Sequence, residues 1–149
     1  MMTEAFKTII LRDLQKLKTE IESYRYEDCI WYIEERIANS AGNLCMHLVG
    51  NLNTFIGVAL AKTDYRRDRD LEFSIKNVPR TELIKKIDDT LVVVEDGLSR
   101  LNDSQLNDPF PMVIWEKETE MGYTLLHLAT HLNYHLGQVN YHRRLLDEA

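Results

Sequence analysis

Apolar residues return at alternating steps of three and four in four separate stretches of this chain, the spacing of helices that pack through a narrow seam. The first stretch carries Phe6, Ile10, Leu14, Leu17, Ile21 and Tyr24, with Thr3 placed to cap a helix over about residues 4 to 24. The second follows Ser40, a good N-cap, and runs Leu44, His47, Leu48, Asn51 and Phe55 to an end near Lys62. The third has Thr81 as cap, Glu82 in its first turn, and Ile84, Ile87, Leu91, Val94, Leu98 and Leu101 along one face. The fourth spans about residues 123 to 146 with Leu125, Leu128, Leu132, His135, Val139, His142 and Leu146 on its seam.

Between these stretches the pattern fails. Residues 25 to 39 are aromatic and charged without a period, which suits a connector containing about one helical turn. TDYRRDRDLEFSIKNVP is charge-rich and ends in Pro79, so a long surface crossing is expected there. Residues 102 to 122, with two prolines and a Val-Ile-Trp run, read as a loop with a short extended piece that folds over one end. The expected architecture is all-α: an up-down-up-down four-helix bundle with long connections, forming a single domain over 1–149.

Composition narrows the function. A net charge of -6 gives no clustered cationic excess for a phosphate backbone, so nucleic acid is not an expected partner. No stretch reads as the roughly 20 apolar residues of a membrane span, and the N-terminus lacks a secretory pattern, so no membrane partner is expected and a cytoplasmic location is. Cys29 and Cys45 form no CxxC pair, and Cys45 lies in an apolar stretch as a core residue would.

The five histidines fall on two of the four helices: His47 on the second, and His127, His131, His135 and His142 on the fourth. Residues four apart on a helix are rotated by about 40° and lie about 6 Å apart along the axis, so His131 and His135 can chelate one ion. His47 on a parallel neighbour stands at a matching height. His127 shares the four-residue spacing with His131 but is rotated about 80° from His135, which makes it a residue behind the ligands; His142 lies too far along. Asn51, one turn after His47, is a candidate to hydrogen-bond a ligand or substrate, and Gln138 to orient the neighbourhood from the fourth helix.

Arg66, Arg67 and Arg69 could guide an anionic substrate, although a solvated run paired with Asp68, Asp70 and Glu72 is the expectation. Gly50, Gly57 and Gly137 lie within helices, where each costs about 1 kcal/mol relative to alanine. Close approach of another backbone, from the bundle or from a second copy, would account for them, and a homodimer is expected.

The strings LLHLATHLNYHLGQV and CMHLVGNL resemble the DinB-like (YfiT-like) metalloenzyme superfamily over nearly the whole chain. The resemblance implies a four-helix bundle with one histidine from the second helix and an HxxxH pair from the last as metal ligands. In this chain these are His47, His131 and His135, followed by Gly137 and Gln138 of the closing HxxxHxGQ pattern. GNLNTFI and RRDRDLEF are similar to a branch without an assigned role. Characterised relatives include transferases and isomerases that use thiols such as bacillithiol or mycothiol, at least one with Glu in place of the present His131. The implied cofactors are a divalent metal ion, zinc or nickel, and a low-molecular-weight thiol such as bacillithiol. Three imidazoles around one ion leave a coordination position for a small-molecule substrate. The implied activity is thiol-dependent transfer or hydrolysis at an electrophile. The competing expectation is a metal- or small-molecule-binding bundle without turnover, a sensor or stress-related binding protein.

Overall fold

The computed structural model describes residues 1–148. Four long helices build it: α1 (Met2–Ser23), α2 (Ala41–Leu52), α4 (Arg80–Ser99) and α5 (Met121–Leu146), with a short α3 (Arg69–Ser74) between the second and third. Among the described residues there are no strands, and a lone bridge pairs Pro109 with Glu120. α1 packs on α4 and α5, and α2 packs on the same two, so the first two long helices occupy opposite corners of an all-α bundle. The interior between them is filled by Ile10, Leu14, Leu17 and Ile21 of α1, Leu48 and Leu52 of α2, Leu83 and Ile87 of α4, and Leu125 and Leu132 of α5.

The seams of α1 and α5 follow the three-and-four spacing closely. In α4 the innermost residues are Leu83, Ile87, Val94 and Leu98, while Ile84 and Leu91 are only partly buried. Two expected caps are replaced. Thr3 lies inside α1, and the Asp103 carboxylate accepts from the amides of Met2 and Thr3 and from the Thr3 hydroxyl. Those bonds hold the Asp103 pKa down to about 2. Thr81 likewise falls within α4, which starts after Pro79. Ser40 does cap α2, accepting from the Asn43 amide.

α2 continues past Leu52 as a π-helix, Asn53–Ala61, closed by Lys62 in the left-handed conformation at φ 61°. At the change of pitch the Asn53 amide donates to the Val49 carbonyl and to Thr90 on α4. Ala41–Ala61 together is long and apolar enough to cross a bilayer by length and composition, contrary to the expectation that no stretch would be. It is spent on the core instead, with 72% of its most apolar window buried. Cys45 lies in the same stretch, fully buried, and burial pushes its thiol up to about 12.

The connector after α1 does contain one tight turn, Glu27–Trp31, whose Trp31 ring rests on Gly42 of α2. The surface crossing after Lys62 is not merely surface: it holds α3, whose Glu72 is buried against α2. Asn43 of α2 fixes that short helix by donating to the carbonyls of Glu72 and Ile75.

His142 illustrates a histidine used only for packing. Its Nδ1 accepts from the Tyr24 hydroxyl at 2.6 Å and its Nε2 donates to the Tyr32 carbonyl at 2.9 Å. Burial lowers its pKa, so the native ring is neutral where the unfolded one, near 6.5, takes up a proton. The native state then binds fewer protons than the unfolded state as pH falls below about 6.5, and stability declines in that window. His142→Gln is expected to cost about 1–3 kcal/mol at pH 7.5, where the Tyr24 hydroxyl is left poorly partnered. It should also shallow the loss of stability between about pH 6.5 and 5 in urea titrations of metal-free protein. An unchanged slope would show that this ring does not carry the acid sensitivity.

Candidate metal centre

His47 projects from α2, and His131 and His135 from α5, onto one point between the two helices. One ligand nitrogen from each lies within 4.8 Å of the others. The Nε2 atoms of His47 and His131 face each other at 3.1 Å, and the His47 ring meets His135 edge to face at 5.3 Å between centroids. Two imidazoles so placed need a proton or a cation between them. Ligands about 2.05 Å from a tetrahedral zinc stand about 3.3 Å apart, so the closest pair already has about the right separation.

The far nitrogens of two of these rings are held. His135 Nδ1 lies 2.7 Å from Gln138 Oε1, one turn ahead, and His47 Nδ1 lies 3.1 Å from Glu72 Oε1. Each oxygen accepts an N–H, which fixes the Nδ1–H tautomer and leaves Nε2 with its lone pair toward the common point. His131 is pushed down to about 4 by burial first, then by His135, His47, His127 and Arg67. His135 is lowered by burial, which outweighs its bond to Gln138. Both are therefore neutral near pH 7, the form that binds a metal.

Glu72 is the residue that sequence reasoning missed. Its carboxylate is buried between His47 and Arg67, whose Nε and Nη2 donate at 2.8 and 3.0 Å. Burial alone would raise its pKa, yet hydrogen bonds from His47 and Arg67 more than offset this, so it stays ionised. A methyl at Gly50 would overlap this carboxylate. The close neighbour that explains Gly50 is thus a side chain, not a second backbone as expected. Gly57 lies against Val93 and Thr63 side chains, and a methyl at Gly137 would meet nothing within 4 Å. The arginine run is corrected in part: Arg67 does pair with Glu72, but against a buried carboxylate and not in solvent, while Asp68 caps α3 and Arg69 lies 5.4 Å over the Phe73 ring.

The remaining predicted residues, Asn51 and His127, line a cavity of about 360 Å³ together with His47 and His131. Asn51 is in its wall, and its Oδ1 is buried with no partner among the described residues. His127 hydrogen-bonds none of the three; it stacks on His131 at 6.0 Å and lies under Trp115 at 4.5 Å between centroids. The loop before α5 brings Ile114 and Trp115 over this end, as its composition suggested. Phe55, from the π-helix, lines the same cavity.

A family described as "Protein of unknown function (DUF1572)" matches residues 4–149, and the chain belongs to it. That family is of the DinB/YfiT-like fold, in agreement with the resemblance in the helix strings. No curated protein matches the chain.

If the Glu72 carboxylate orients His47, Glu72→Gln and Gly50→Ala should each weaken zinc binding about 10- to 100-fold in competition titrations with a chelator. His47→Ala should lose more. Wild-type affinity in both Glu72→Gln and Gly50→Ala would remove the orienting role.

Proposed function

We propose that this member of the DUF1572 family is a metal-dependent enzyme acting on a small electrophilic substrate, a transferase or hydrolase, with His47, His131 and His135 holding a divalent zinc or nickel ion. One observation carries the reading: three imidazoles from two helices converge, and two of them, His47 and His131, line a cavity with room for a small molecule. When bound, such an ion supplies Lewis acidity toward an oxygen or sulfur donor at its remaining position.

The protein's own groups divide the rest of the work. Glu72 and Gln138 orient two of the rings. Ile114 and Trp115 restrict water from one side. His127 lines the same cavity and its ring nitrogens make no hydrogen bond among the described residues, so it is the group we assign to proton transfer. The attacking partner is water or a low-molecular-weight thiol such as bacillithiol; a thiol would enter from the cavity, where no carboxylate lines the wall to repel it.

The same missing carboxylate favours a second reading, a bundle that binds a metal or small molecule without turnover. Glu72 is tied to Arg67 and His47 and cannot act as a free base.

Metal content after stringent dialysis tests the common premise. Wild type is expected to retain about one ion per chain, and His47→Ala and His135→Ala to retain none, with helical content unchanged by circular dichroism. Equal retention in wild type and both variants would overturn the site. Given a substrate, His127→Ala should lower turnover about 10²- to 10⁴-fold while keeping the ion; full turnover in that variant would take the proton-transfer role from His127.

A further inference from the structure

The cavity lined by His47 and His131 has three unspent features. Asn51 is 8% exposed, yet its Oδ1 has no partner among the described residues, and its side chain stands in the cavity wall. A buried amide oxygen left bare costs free energy that a bound donor would recover. Arg69 also lines the cavity and forms no ion pair among the described residues; its guanidinium lies over the Phe73 ring, and that ring lies 4.8 Å from His47. The neighbouring Arg67 differs, since its charge is paired with Glu72 through Nε and Nη2. Phe55, Ile114, Trp115 and Leu128 supply the apolar remainder.

Charge settles the sign of the ligand. Arg69 is an uncompensated cation at the rim, no carboxylate lines the cavity, and Asp68 is turned to the α3 amide of Leu71. An anionic substrate group gains a charge-assisted pair there, and a cationic one meets only repulsion. Asn51 offers an acceptor and two donors, which an amide matches with its own donor and acceptor. The volume, about 360 Å³, is at the small end of the range for small-molecule sites, roughly 300–1,000 Å³.

Resting on the metal-centre reading above, we infer that the substrate class is a small carboxylate that also carries an amide and an apolar group, of the size of an N-acyl amino acid. Its carboxylate pairs with Arg69, its amide with Asn51, and its apolar part lies against Trp115 and Phe55.

Calorimetric titration of zinc-loaded protein with N-acetylphenylalanine, its methyl ester and 3-phenylpropionate tests this. The ester lacks the charge and 3-phenylpropionate lacks the amide. Wild type should bind the acid about tenfold more tightly than the ester. Arg69→Gln, a change at an exposed residue, should bring the two together, and Asn51→Leu should weaken the acid without weakening 3-phenylpropionate. Equal binding of acid and ester by wild type, or no binding of any of the three, would overturn the inference. The zinc content of the same samples separates the two levels: loss of zinc counts against the metal centre, whereas bound zinc without preference for the acid counts against the substrate class alone.

Discussion

The Glu72 carboxylate, buried between the Arg67 guanidinium and the His47 imidazole, is the contact on which the arrangement around the histidines turns. A lone carboxylate in that position would be costly to bury, and it stays charged because two partners meet it with N–H groups. Through that contact His47 keeps its proton on Nδ1 and presents Nε2 to His131. The carboxylate also needs space, which Gly50 leaves, and a fixed backbone, which Asn43 provides by donating to the Glu72 carbonyl itself and to that of Ile75 at the end of α3. Asn43, His47 and Gly50 of α2 and Arg67 and Glu72 of the stretch that follows it therefore act as one device.

The histidines on α5 divide by environment rather than by spacing. His131 and His135 share a face and are neutral near pH 7 because burial and like charge disfavour the proton. His142, two turns beyond His135, has both nitrogens spent on Tyr24 and Tyr32 and serves the core. His127 has neither fate: it stacks on His131, meets Trp115 edge to face and lines the cavity. One helix thus carries packing, coordination and proton-transfer candidates within 16 residues, His127 to His142.

Much of this was readable in the chain. Three-and-four spacing located α1, α2, α4 and α5 because each presents one continuous apolar stripe, and helical geometry alone brings His131 and His135 to one side. Gln138 was legible for the same reason, being three residues from His135. Glu72 was not. It sits in TDYRRDRDLEFSIKNVP, where alternating charges look like a solvated crossing, and nothing local distinguishes a carboxylate bound for the interior from its neighbours. The signal lay elsewhere, in an unexplained glycine one turn after His47. The Asp103 cap was hidden likewise, because its partners are about a hundred residues away. The π-helix was invisible because Asn53–Ala61 is nearly uniformly apolar and has no period that separates one pitch from another.

The central claim is that three imidazoles meet one cation through Nε2, with the far nitrogens of His47 and His135 held by Glu72 and Gln138. Long-range proton–nitrogen NMR of the histidine rings, recorded before and after one equivalent of zinc, reads this directly. The account predicts that the Nε2 resonances of His47, His131 and His135 move to the metal-bound range, while those of His127 and His142 do not. Coordination through Nδ1 of His47 or His135, or a set of responding rings that leaves out His47, would contradict it.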